Sequence, residues 1–222
     1  MTIDMITQRT RSRLTLLAAL AVAAFIAGRV IWIKCVKYEI LPRNLGVVKE
    51  GTIYRSGQHS GRVLRQLCAE LHLRTIIDLG GREWENPRTQ AEQRIAQEMG
   101  VTRYAFGLPG DGTGDPDKWA AVVQVMADPA NHPVLVHCAT GAQRTTTATL
   151  LYQHIVDGKA IREVYPDCFN YKHKPDEWEI VAYLADHVGQ IELAVQTNQP
   201  THQGDAATIS ELARTYRVSP SG

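Results

Sequence analysis

Residues 134–145 read Val134-Leu135-Val136-His137-Cys138-Ala139-Thr140-Gly141-Ala142-Gln143-Arg144-Thr145. The apolar run ending at His137 reads as a buried strand, and the segment from about Thr146 to Val156, stopped by Gly158, reads as a helix. A strand that feeds a helix through a short loop leaves several backbone N–H groups pointing into that loop. The helix start adds the positive end of its dipole, and together these make an anion cradle. Gly141 permits a conformation or a close approach that a Cβ would hinder. Arg144 brings a planar fork that matches two phosphate oxygens. Cys138 lies at the foot of the cradle, where the same N–H groups and Arg144 favour its thiolate. A thiolate beneath a tetrahedral dianion is set for in-line attack on phosphorus. Thr145 can then hydrogen-bond the sulfur and make it a better leaving group.

Outward from this stretch, three more apolar runs read as strands: Gly51–Arg55, Arg74–Leu79 and Thr102–Phe106. Helical patterns lie between them. Ser60 can cap a helix with Val63, Leu64, Leu67 and Leu71 on one face. Ala91, Ile95 and Met99 recur at four-residue spacing before Gly100, a natural stop. Asp115-Pro116 reads as N-cap and first-turn proline of a helix through Trp119, Val122, Val123 and Met126. A further helix is expected from about Pro175 to Val188. Strand–helix alternation with strands this apolar predicts an α/β domain around a largely parallel sheet of four to five strands, covered by helices on both faces.

The stretch His137, Cys138, Gly141, Arg144, Thr145 resembles the His-Cys-x5-Arg-Ser/Thr signature of cysteine-dependent protein tyrosine and dual-specificity phosphatases. Tyr54–Gln58 (YRSGQ), Thr75–Glu85 (TIIDLGGREWE) and Asn131–Cys138 (NHPVLVHC) are similar to the small bacterial, plant and fungal members of the dual-specificity group. The resemblance covers about 140 residues, from Leu45 to near Leu184. Two positions depart from it: Thr146 stands where the family usually has Gly, and Gly80 where Arg commonly follows Leu79. The resemblance implies a phosphotyrosine protein phosphatase-like fold and a phosphocysteine intermediate. It implies Cys138 as nucleophile and the loop Ala139, Thr140, Gly141, Ala142, Gln143 and Arg144 as the phosphate cradle.

A phosphate ester also needs a proton donor for its leaving oxygen and a base for the attacking water, roles one carboxyl can fill in turn. The resemblance implies an Asp on a mobile loop upstream of the cysteine. Residues 108–117, LPGDGTGDPD, offer Asp111, Asp115 and Asp117, and glycines 110, 112 and 114 suit a loop that moves. Asp115 has a capping role and Asp117 a first-turn role. Asp111 shows no structural duty in the sequence, and its place just after Pro109 resembles that of the acid in the tyrosine phosphatase loop, so it leads as the acid, with Asp115 as the alternative. His137 is expected to stabilise the loop rather than move protons, and His132 and His173 to lie at the surface. Cys68 reads as a buried thiol. Cys168 is a conceivable redox partner of Cys138, and Arg55 and Arg82 conceivable pocket-mouth residues.

The chain has 222 residues, 24 Lys+Arg against 23 Asp+Glu, 44% hydrophobic and 21% charged residues. A net charge of +1 gives no field for nucleic acid. Four cysteines without a CxxC pair suit neither a disulfide scaffold nor a zinc site, and the cradle supplies its own positive potential, so no metal or organic cofactor is expected. Residues 14–33, LTLLAALAVAAFIAGRVIWI, contain one charge, Arg29, and are expected to form a single-pass membrane anchor; a cleaved signal is the alternative. Arg9, Arg11 and Arg13 before it balance Lys34, Lys37 and Arg43 after it, so charge sets no orientation. The expected organisation is thus a basic flank and anchor over 1–37, a catalytic domain over 38–192 and a polar tail over 193–222, with a short helix expected in it at Ala207–Tyr216.

The loop between Cys138 and Arg144 carries no Lys or Arg. This favours a phosphomonoester such as phosphotyrosine, or another phosphoprotein residue, over an inositol phosphate or phosphoinositide, which remains an alternative. A rhodanese-like sulfurtransferase and a catalytically silent phosphate-binding module are the competing classes.

Overall fold

The computed structural model describes residues 2–81, 85–201 and 206–219, with backbone alone for residues 2–15 and 34–35. The chain divides into two compact units, residues 1–41 and 42–222. The first unit is helical: α1 (Thr2–Ile31), a π-helical turn (Trp32–Val36) and α2 (Lys37–Ile40). Leu16, Leu20, Phe25 and Ile31 are all exposed. The expected transmembrane anchor over 14–33 is not supported: among the described residues no helix is long and apolar enough to cross a membrane.

The second unit is built on five strands: β1 (Gly46–Lys49), β2 (Ile53–Gly57), β3 (Thr75–Asp78), β4 (Thr102–Ala105) and β5 (Val134–Cys138). Their order is β1-β2-β5-β3-β4. β5 is parallel to β2 and β3, β4 is parallel to β3, and only β1 runs antiparallel. The α/β class and largely parallel sheet follow the sequence reading. β1 is an addition: its half-buried, alternating residues carry no continuous apolar signal.

The helices of this unit are α3 (Gly61–Glu70), α4 (Pro87–Glu98), α5 (Pro116–Ala127), α6 (Gln143–Ile155), α7 (Ile161–Val164), α8 (Glu179–Thr197) and α9 (Ile209–Thr215). The period-two pattern of the strands sorts them into two layers. Ile53, Ile77, Val134 and Val136 face one core with Trp119, Met126, Leu151 and Ile180 of α5, α6 and α8. Tyr54, Ile76 and Leu135 face a smaller core with Leu64, Cys68 and Ile95 of α3 and α4. Helix starts follow local rules. The Ser60 side chain accepts from Val63 N–H, and the Asp115 side chain from Asp117 N–H at 2.9 Å ahead of Pro116.

The segment after residue 192 differs from the polar tail expected. α8 runs on to Thr197, and Ile209 and Ala213 of α9 are buried in the larger core. The chain then lies along β4: Ala105 N–H donates to Tyr216 O at 2.9 Å and Val218 N–H to Arg103 O at 2.8 Å. Two apolar residues on one short helix were too sparse a periodicity to mark it as core.

Candidate functional site

The loop from Cys138 to Thr145 joins the C-terminal end of β5 to α6. Cys138 is buried, and Gly141 N–H donates to its Sγ at 3.2 Å. Gly141 has φ +76°. A Cβ there would lie 2.6 Å from Gly57 N and 2.7 Å from Ser56 O, so the position admits glycine alone. The carbonyls of the loop are turned outward by donors around its rim. Gln58 N–H donates to Cys138 O at 2.8 Å, Asn44 Nδ2 to Thr140 O at 2.8 Å, and Arg55 Nη2 to Gly141 O at 2.9 Å. With these oxygens held by donors, the N–H groups of Gly141 and Thr145 reach the Cys138 sulfur, and Ala142 N–H donates to Thr140 Oγ1 at 3.3 Å.

Burial pushes the Cys138 thiol up, but the hydroxyl and N–H of Thr145, the Arg144 guanidinium and the Gly141 N–H outweigh it. The net result holds the thiol below its ordinary value. Arg144 is held by Leu108 O at 3.1 Å and Leu79 O at 3.5 Å, both accepting from Nη1. With Ala139, Gln58, Asn86 and Thr89 it lines a cavity of about 80 Å³. A larger hollow of about 610 Å³, between α4 and the C-terminal segment, includes none of the loop.

The loop at residues 107–115 packs beside this cradle and is anchored by its carbonyls. Thr147 Oγ1 donates to Gly112 O at 2.8 Å, Tyr183 OH to Gly114 O at 2.8 Å and Trp119 Nε1 to Thr113 O at 3.3 Å. Its three aspartates are separated by their partners. Asp117 is buried and accepts from Thr201 N–H at 2.9 Å and Thr201 Oγ1 at 2.7 Å, which spends it on the fold. Asp115 caps α5. Asp111 is exposed, yet it does have a structural duty. Its Oδ1 accepts from Thr113 N–H at 3.0 Å and Thr113 Oγ1 at 2.8 Å, an Asx turn that presents the carboxylate to solvent.

His137 faces the opposite side of β5 from Cys138. Its Nε2 forms a buried ion pair with Glu92 Oε2 at 3.1 Å, without the alignment of a hydrogen bond. Glu92 Oε1 accepts from Arg103 Nε at 2.7 Å, and Asp78 Oδ2 accepts from Arg103 Nη2 at 2.5 Å. Asp78 Oδ1 accepts from Gly80 N–H at 2.8 Å, which ties the network to the rim of the cavity. Burial opposes charge on His137 and Glu92, but each stabilises the other's ionised form. His137 is pushed up to about 9 and Glu92 down to about 2. Asp78, Glu92 and His137 are spaced as metal ligands, but Arg103 already supplies the cation among them.

Two expectations need revision. His173 is buried, with Nδ1 2.7 Å from Gln143 Oε1 and Nε2 2.8 Å from Tyr165 OH. It therefore braces the loop beside Arg144 instead of lying at the surface. Arg55 is not at a pocket mouth; it is buried beneath the loop, and Arg82 lies outside the described residues. The role of Arg55 left a trace in the sequence. Thr146, at the position where glycine was expected, accepts from Arg55 Nη2 at 3.2 Å. Cys68 is buried as expected, and burial pushes it up to about 11; Cys168 is a buried free thiol. His132 is half-buried, with Nε2 2.7 Å from Met126 O.

A family model described as the tyrosine phosphatase family matches residues 39–151. Among curated proteins, inositol diphosphatase DSP1 of Oryza sativa subsp. japonica is 33% identical over 110 residues, 47% of this chain and 46% of that protein. Inositol diphosphatase DSP3 of Arabidopsis thaliana is 32% identical over 110 residues, 47% of this chain and 50% of that protein. The chain thus spans about half the length of the curated relatives it matches. Among solved structures, the core catalytic domain of the PP-IP phosphatase SIW14 from S. cerevisiae superposes with a TM-score of 0.56 at 22% identity. That match covers 72% of this chain and 95% of that one. TpbA of P. aeruginosa superposes with a TM-score of 0.56 at 20% identity, covering 69% and 91%. At these identities the likeness establishes the fold.

Proposed function

The chain belongs to the tyrosine phosphatase family, and on that premise we propose that it hydrolyses phosphomonoesters through a phosphocysteine intermediate. The observation that carries this reading is the buried Cys138, held below its ordinary thiol value by the N–H groups of Gly141 and Thr145, the Thr145 hydroxyl and Arg144. The Cys138 thiolate attacks phosphorus as the P–O ester bond breaks, and Asp111 gives its proton to the departing oxygen. The Asp111 carboxylate then takes a proton from water as that water attacks the phosphocysteine. The P–S bond breaks, inorganic phosphate forms, and the thiolate returns, stabilised by Thr145. Arg144 and the amides of residues 139–144 hold the equatorial oxygens throughout.

Phosphotyrosine, or another singly phosphorylated protein residue, suits a cradle whose Ala139-Thr140-Gly141-Ala142-Gln143 segment adds no cation for further phosphates. A second reading, an inositol diphosphate substrate, is favoured by the curated relatives.

The test is hydrolysis of p-nitrophenyl phosphate by the full chain under reducing conditions with EDTA. Wild type should turn over and Cys138→Ser should not. Asp111→Asn should lower kcat on the order of 10²-fold, with Asp115→Asn close to wild type. The reverse order of the two Asp variants would transfer the acid role to Asp115. Comparing kcat/KM on a phosphotyrosine peptide and on an inositol diphosphate then decides between the substrate classes. A folded wild type inert on all three substrates would overturn the reading.

A further inference from the structure

Arg55 rises from β2 on the same side of the sheet as α6 and is 4% exposed. Its guanidinium lies flat against Tyr171, 3.9 Å from the ring centroid. Its nitrogens are shared among Gly141 O at 2.9 Å, Thr146 Oγ1 at 3.2 Å and Thr149 Oγ1 at 3.3 Å. Every one of these partners is neutral. A guanidinium buried among carbonyl, hydroxyl and ring keeps its full positive charge for whatever lies nearby. Above it is Gly141, whose carbonyl it holds from below; the N–H on the other side of the same α-carbon points to Cys138 Sγ.

We propose that Arg55 is a positioning residue for the phosphatase reaction, a second cation under the loop that fixes Gly141 through its carbonyl and favours the Cys138 thiolate from below. The inference rests on the phosphatase reading for its effect on turnover, but not for its effect on the thiol. Two duties are separable in it: the fork that orients the peptide and the charge that favours the anion. Burial lowers Arg55 only to about 10, so it is a cation throughout the neutral range. The threonine at position 146 belongs to the same unit. A glycine there would remove one of the three hydrogen-bond acceptors that hold the guanidinium under the loop.

The experiment follows alkylation of Cys138 by iodoacetamide against pH in the full chain, read on the Cys138 peptide by mass spectrometry, beside phosphatase kinetics. Arg55→Gln, checked for fold by circular dichroism, should move the alkylation inflection up by about one pH unit and lower kcat at least about tenfold. Arg55→Lys keeps the charge and loses the fork. Its inflection should stay near wild type while kcat still falls by about tenfold. An unmoved inflection in folded Arg55→Gln would overturn the electrostatic part. Wild-type kcat in Arg55→Lys would overturn the orienting part, and that arm stands even where Arg55→Gln does not fold. A shifted inflection in a protein inert on every phosphoester would retain the thiolate assignment and discard the phosphatase reading. Turnover with no change in either variant would do the opposite.

Discussion

Arg55 and Arg103 are both buried, on opposite faces of the same sheet, and they are partnered in opposite ways. Arg103 pairs with two carboxylates, Glu92 and Asp78, and its charge is consumed locally. Arg55 has a carbonyl, two hydroxyls and a ring, and its charge is not consumed. A buried cation costs several kcal/mol to desolvate, and a carboxylate partner is the usual offset. Where the offset is complete, the side chain serves the fold. Where it is left to neutral dipoles, the positive potential remains for an anion at the nearby loop. The Arg103 network also fixes the strand that ends in Cys138, by way of His137, so one face of β5 supports the other.

The sharpest way to break this contrast is Arg103→Met. Two carboxylates would remain buried with His137 as their remaining charge partner, and the loss should be about 3–5 kcal/mol in chemical denaturation. A loss below about 1 kcal/mol would remove Arg103 from the fold's supports.

Glu92→Gln tests the same network through pH. The His137 value is raised in the folded protein, so its contribution is complete below about 6.5 and is lost as pH rises through about 9. Glu92 is depressed, so its contribution is present above its ordinary carboxylate range and is lost only as pH falls through about 2. Between pH 6.5 and 9 wild type should therefore lose Tm, on the order of 5 °C, and Glu92→Gln should show a flatter profile over that window. Parallel profiles would place the titration elsewhere.

The smallest expected effect is at Thr146→Val, which keeps the shape and deletes one acceptor of Arg55. It should cost about 0.5–1.5 kcal/mol of stability and a few-fold in kcat. A variant indistinguishable from wild type in both would show that Gly141 O and Thr149 suffice to hold the guanidinium.

Much of this could be read from residues 134–145 alone. A strand, a nucleophile, a glycine and a fork in the right order leave few folds open, and the four parallel strands were apolar enough to stand out. What escaped detection shared a physical cause. Arg55, His173 and Glu92 each act partly through a residue 30 or more positions away, such as Gln143 for His173 and His137 for Glu92, and a polar residue's burial leaves no periodicity. β1 alternates too weakly over four residues, and α9, legible as a helix, offers only two buried positions to mark it as core. Among the aspartates of residues 108–117, the capping role of Asp115 was legible beside Pro116, whereas the bonds of Asp117 to Thr201 show only in the fold. Of the positions weighed, only Thr146 carried a visible sign, as a departure from a familiar motif whose partner was unknown.

The pairing of Tyr216 and Val218 with β4 has a consequence for solubility. β4 is the outermost strand on its side of the sheet, and the C-terminal segment occupies backbone groups that would otherwise face water unpaired. A chain shortened to residue 192 would bare that edge together with the apolar surface under Ile209, and open edges recruit strands from other molecules. Such a protein should self-associate in sedimentation at concentrations where the full chain does not. By that expectation Tyr216 and Val218 guard the edge of β4 against aggregation, a duty independent of catalysis.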